Sequence, residues 1–153
     1  MNKPVEHSSF VIERQFDFPV EQVWRAWTDP KAKQAWFNGG ADVVEQVREM
    51  DFRVGGSDRL VGKWKSGMVS DFTNTYLDIV PNERVIYTYW MRLNDSLISF
   101  SLATIEFTAK GKGTLLKLTE QGAFVNGFED KGGREHGTNA LVDKLHDYLK
   151  QTA

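Results

Sequence analysis

Three histidines, one glutamate at the end of an alternating strand and two alternating tyrosines are the residues of this chain whose types and spacing could carry chemistry. His136 and His146 are ten residues apart in a segment of helical period. On one helix that is about 80° in azimuth and ~15 Å along the axis, too far to share a metal ion. They read as surface or helix-end side chains, and His7 as part of a frayed tail. Cysteine is absent, which removes thiolate nucleophiles, disulfides and cysteine-ligated metals. The chain has no Gly-x-Ser-x-Gly elbow, His-Glu-x-x-His helix or Gly-x-Gly-x-x-Gly turn. The string from Gly56 to Trp64 puts five residues between its glycines and a tryptophan where a magnesium-binding hydroxyl is needed, so it reads as a strand after a turn. No cofactor is expected.

Glu120 is the better candidate. Leu116 and Leu118 alternate with Lys117 and Thr119, which puts Glu120 on the leucines' side of a strand. Two readings follow: the chain leaves the sheet there and the carboxylate meets water or a backbone cap, or it stands in a cavity where it could act as an acid or base. Tyr87 and Tyr89 are expected to share an inward face with Leu77, Ile79, Val85 and Met91, each hydroxyl then needing a partner. Ser99, Ser101 and Ala103 share a side with Ile105 and Phe107, while Ile98, Phe100 and Leu102 take the other. Either a bulge moves the apolar face across the strand, or small residues line a void and Phe100 and Leu102 face outward toward a partner subunit in a homodimer. Gly137 and Thr138 are also small where a covering helix should be bulky, so small residues on both walls either enclose a cavity or let sheet and helix backbones pack closely.

Positioning these groups requires particular elements. Ser9 to Phe18 alternates as a first strand and stops at Pro19. Val20, Val23, Trp24 and Trp27 then fall at i, i+3, i+4 and i+7, the stripe of a short amphipathic helix. Asp29-Pro30 supplies a cap and a first-turn proline for a second short helix through Trp36, ended by Asn38-Gly39-Gly40. Between about Asp42 and Phe124, β-branched and aromatic residues broken by turn signals give about six strands. Their connections are too short for crossover helices, so the strands must be antiparallel neighbours in a meander. Asn94-Asp95-Ser96, formally a glycosylation acceptor, reads as the turn of one hairpin. Asp130 to Gln151 returns to helical spacing, with Arg134, Thr138, Leu141, Leu145 and Tyr148 or Leu149 on one face. Glu129, Asp130 and Glu135 suit that helix's N-terminal dipole, with Arg134 and Glu135 solvated just inside it. The fold class is therefore α+β, a curved antiparallel sheet covered by a long C-terminal helix, in a single domain over residues 1–153.

Composition narrows the partners. Nineteen basic against 21 acidic residues give a net charge of −2, with no reserve for tracking a phosphate backbone, so nucleic acid is not expected. The N-terminal residues offer no signal peptide and no window could span a membrane, which leads to the expectation of a cytoplasmic protein. Five Trp, ten Phe and four Tyr are more aromatic surface than a core of this size needs.

The order of elements and several strings resemble the START-like (SRPBCC) superfamily, in the branch similar to activators of heat-shock protein 90 ATPase. The strings are Phe16-Asp17-Phe18-Pro19-Val20-Glu21-Gln22-Val23-Trp24, Thr28-Asp29-Pro30 through Trp36-Phe37, Phe52-Arg53-Val54-Gly55-Gly56, Asp78 to Val85, Thr119 to Phe124, and Arg134-Glu135-His136-Gly137-Thr138 followed by Leu141 and Leu145. The resemblance implies a helix-grip fold with a hydrophobic cavity between sheet and helix, in a superfamily of lipid carriers, polyketide cyclases, hormone-binding proteins and co-chaperones. In the co-chaperones this domain follows a separate chaperone-engaging domain. Here the first strand is expected by residue 9, which argues against a chaperone partner. The expectation is that a small hydrophobic or aromatic molecule binds against Trp36, Tyr87, Tyr89, Met91, Glu120, Thr138 and Leu141. The alternatives are a cyclase- or hydrolase-type enzyme using Glu120 or a tyrosine, and a chaperone-interacting module.

Overall fold

In the computed structural model, which describes residues 2–152, seven strands form one antiparallel sheet and three α-helices accompany it. Strand β1 (Glu6–Phe16) leads into α1 (Val20–Thr28) and α2 (Pro30–Trp36). A 3-10 turn at Gly40–Asp42 then opens a meander of β2 (Val43–Met50), β3 (Asp58–Trp64), β4 (Val69–Val80), β5 (Arg84–Leu93), β6 (Ser96–Lys110) and β7 (Gly113–Phe124). Helix α3 (Gly133–Thr152) closes the chain. The sheet order β1-β7-β6-β5-β4-β3-β2 carries β1 back beside β7, so β1 and β2 are the two edges.

The short helices form for the local reasons the sequence displays. Asp29 accepts a hydrogen bond from the Ala32 amide at 2.9 Å, capping α2 behind its first-turn proline. Trp36 donates its indole N–H to the Ala26 carbonyl at 2.9 Å, and Trp27 meets Trp36 edge-on at 4.8 Å. An aromatic pair in that geometry contributes roughly 0.5–1.5 kcal/mol beyond the area it buries. The Asn94-Asp95 hairpin has both residues at positive φ, 49° and 66°, the geometry that matches the twist of the flanking strands. Helix α3 lays Val142, Leu145 and Leu149 on the sheet, where all three are buried among Phe16, Ile105, Leu116 and Leu118.

Four local expectations need correction, two because of strand pairing or ring packing and two because of a bulge in a strand. His7 is not in a frayed tail: it lies within β1, paired opposite Ala123 of β7. His146 is half-buried rather than freely exposed, since it stacks on Phe16 at 5.9 Å and meets Phe18 edge-on at 6.4 Å. Leu77 does not face inward. Pairing jumps from Tyr76–Tyr87 to Asp78–Ile86, so Leu77 is the extra residue of a bulge and is exposed, while Tyr76 takes the buried position. A second bulge between Met91–Ser99 and Arg92–Leu97 leaves Ile98 unpaired, and it is buried rather than outward. Beyond it Ser99, Ser101, Ala103, Ile105 and Phe107 all face inward and Phe100 lies outside, 48% exposed, but the three small residues do not line the cavity between sheet and helix.

Candidate functional site

Between α3 and the inner face of the sheet lies a cavity of about 500 Å³. Its walls come from three places. Helix α2 and the turn after it supply Trp36, Phe37 and Gly39, the central strands supply Phe72, Tyr87, Tyr89, Met91 and Glu120, and α3 supplies Arg134, Gly137, Thr138 and Leu141. The structure thus brings Trp36, Tyr87, Tyr89, Met91, Glu120, Thr138 and Leu141 around one space. Thr138 contributes little polarity, because its hydroxyl donates to the Arg134 carbonyl of its own helix at 2.8 Å. Gly137 stands at the wall with nothing within 4 Å of where a Cβ would be. Of the helical tryptophans, Trp27 and Trp36 reach the cavity, whereas Trp24 packs against Phe52 and Phe107.

One end of the cavity is polar. Glu120 is 5% exposed, so the chain does not leave the sheet there; it pairs opposite Phe10 of β1 and Ala103 of β6. Burial raises its carboxyl above the usual range, opposed by hydrogen bonding to Tyr89 and by the Arg134 charge. Arg134 is not solvated. Its Nη1 donates to Tyr89 Oη at 2.8 Å and Ser101 Oγ at 3.3 Å, and its Nη2 to Ser99 Oγ at 2.9 Å. The guanidinium lies over the rings of Tyr89 and Phe124 at 5.4 and 5.1 Å. The small residues of β6 therefore leave room for an arginine from the covering helix. Gly122 belongs to the same arrangement, since a Cβ there would come within 3.2 Å of Ser101 Oγ. Burial also raises the Tyr89 hydroxyl, as does the neighbouring Glu120 charge, while Arg134 opposes the shift.

A second buried polar cluster has no sequence forecast. Lys33, on the inner side of α2, places Nζ 3.3 Å from Asp58 Oδ2 and donates to Tyr76 Oη at 3.4 Å. Tyr76 donates to the same Asp58 oxygen, and so does Asn74 at 3.3 Å. Rings of Trp27, Phe37, Tyr76 and Tyr87 surround the ammonium at 5.0 to 6.0 Å. Burial pulls Lys33 below the usual lysine range and Asp58 opposes it; burial and the Asp58 charge push Tyr76 up. Lys33, Asp58 and Tyr76 do not reach the cavity, although Trp27, Phe37 and Tyr87 stand between the two. The only signal that could have found this cluster is the failure of Lys33 to fit α2's polar face. Among the described residues, no group of three or more His, Asp or Glu side chains is placed to hold a metal ion, and no helix is long and apolar enough to cross a membrane.

A curved antiparallel sheet gripping a long C-terminal helix, with the cavity between them, defines the helix-grip class of α+β proteins. Residues 17–150 match the family of Activator of Hsp90 ATPase homolog 1-like proteins, and the chain belongs to that family. No curated protein matches the chain. Among solved structures, an uncharacterized protein of Rhizobium leguminosarum is 39% identical and superposes with a TM-score of 0.90, covering 97% of each chain. Protein Mll3558 of Rhizobium loti is 34% identical, TM-score 0.88, over 95% of this chain and 99% of that one. The AHSA1-like protein of Aeromonas hydrophila, 21% identical with a TM-score of 0.70 over 95% and 94% of the two chains, shares the fold.

Proposed function

We propose that the protein binds a small apolar or aromatic molecule in the cavity between the sheet and α3. Fold and family are those of ligand-binding or chaperone-associated modules generally. The observation that carries the narrower reading is the cavity itself, about 500 Å³ with a largely aromatic and apolar wall and a few polar groups, Glu120 and Arg134 among them. That volume and that mixture are what small-molecule sites have, burial providing affinity and a few polar groups fixing orientation. Thermal denaturation across a panel of aromatic and aliphatic metabolites tests it, with Gly137→Leu as the control. Leucine at that open wall position should remain folded and abolish any ligand-induced stabilisation. A panel in which nothing raises the melting temperature of the wild-type protein counts against the reading.

One observation favours a catalytic variant of the same proposal. A buried carboxyl held above its usual range beside a tyrosine hydroxyl is suited to give or take a proton. Turnover of a bound compound that stops in Glu120→Gln while binding persists would establish it. For a chaperone-associated role, the test is direct binding to heat-shock protein 90 at micromolar concentration.

A further inference from the structure

Arg134 and Glu120 form a mismatched pair, and the mismatch bears on which ligand the cavity takes. Their nearest nitrogen and oxygen, Arg134 Nη1 and Glu120 Oε2, are 3.9 Å apart. That is beyond hydrogen-bond reach, so the carboxyl and the guanidinium are neighbours without a direct bond. Arginine has five N–H donors in a fixed fork. Three go to Tyr89, Ser101 and Ser99, and among the described residues the Nε hydrogen and the second Nη2 hydrogen have no protein acceptor. The same end of the cavity also holds Asp130, whose Oδ1 accepts the Arg134 backbone N–H at 2.8 Å and whose charge acts on Glu120. Two carboxyl groups thus stand at the end of the cavity that holds one guanidinium. The other cation on the wall, Lys144, is ten residues further along α3, about 15 Å by the helical rise, and donates to the Asn38 carbonyl at 2.8 Å.

Resting on the cavity reading above, we propose that this end selects uncharged molecules whose apolar body carries a hydroxyl group, and disfavours carboxylates. A hydroxyl both accepts and donates: its oxygen takes a hydrogen bond from the guanidinium while its proton goes to the Glu120 carboxylate. A ligand carboxylate can only accept, and would add a third acid beside a single cation. The Tyr89 hydroxyl already stands between the guanidinium and Glu120, and a hydrocarbon of the same shape would leave the two unspent guanidinium hydrogens without an acceptor, which costs affinity once water has been displaced.

Equilibrium dialysis with three probes of one shape, naphthalene, 2-naphthol and 2-naphthoate, tests this at pH 7.5. 2-Naphthol should bind at least tenfold more tightly than either of the others. In Glu120→Gln, which keeps an acceptor and removes the charge, 2-naphthoate should gain about tenfold and 2-naphthol should weaken, so that the preference for the hydroxyl narrows. Equal affinity for naphthalene and 2-naphthol overturns the proposal while leaving the cavity reading intact; so does 2-naphthoate binding that is lost in Lys144→Ala and unmoved in Glu120→Gln. Absence of binding by all three removes the cavity reading and the proposal with it. The wild-type ranking alone decides the matter should the Gln variant fail to fold.

Discussion

The protein buries two clusters of the same ingredients, a cation, a carboxyl and a tyrosine, and arranges them oppositely. Around Lys33 the cation, Asp58 and Tyr76 converge on one oxygen, and four aromatic rings close over the ammonium. Around Arg134 the cation spends its hydrogen bonds on hydroxyls and stops 3.9 Å short of Glu120, at the wall of a cavity. The first arrangement leaves no place for a visitor and ties α2 to β3 and β4. The second is held in position by neighbours that do not neutralise it, which is how recognition groups are pre-organised. Burial of charge alone therefore does not mark a site; what distinguishes the two is whether cation and carboxyl bond directly to each other, as Lys33 does to Asp58 Oδ2 even though Asp58 Oδ1 has no partner among the described residues.

Removing one partner from each cluster is the sharpest way to break this comparison. Lys33→Ala strands Asp58 without its cation in the interior and should cost about 3–5 kcal/mol, read as a lowered urea midpoint. A loss under about 1 kcal/mol would show that the closed cluster is not a structural lock.

Alkaline titration bears on both clusters together. Tyr76, Tyr87 and Tyr89 are all raised above the ordinary 10.0, first of all by burial. Above that value the unfolded phenols release protons that the folded ones keep. Their contribution to stability is full below pH 10.0 and falls as the pH rises, by up to about 1.4 kcal/mol per pH unit for each tyrosine. Unfolding followed by far-ultraviolet circular dichroism should become steeply pH-dependent there, and Tyr76→Phe and Tyr89→Phe should each lessen the slope. Unchanged slopes in both would mean that the phenols ionise within the fold.

The smallest effect is expected at Glu120. Its folded value is raised, so its contribution is full below the ordinary 4.5 and is lost as the pH rises through the folded value. Glu120→Gln should then match or exceed the wild type at neutral pH by no more than about 1 kcal/mol, with the advantage disappearing in acid. Destabilisation of several kcal/mol at neutral pH would make Glu120 a structural partner of Arg134 and erase the distinction between the clusters.

Element order and type were legible in the chain because each rests on local signals: Asp29-Pro30 caps α2, Asn94-Asp95 turns a hairpin, and alternation marks the strands. The inward side of β6 was legible too, through the small residues Ser99, Ser101 and Ala103. Strand parity failed at Leu77 and Ile98, because a bulge adds one residue and shifts each side chain beyond it to the opposite face. Lys33 and Arg134 escaped for a different reason. Long basic side chains normally reach water, and only partners brought from 25 to 43 residues away, in one case, and from 14 to 45 in the other, make burial favourable.

The sequence by itself determined an antiparallel meander, two short helices, a long covering helix and a set of aromatic and small residues on facing walls, since periodicity and turn chemistry act within a few residues. Only the tertiary structure decided which charges are spent and which stand available, because that depends on distances between elements that the chain order leaves open.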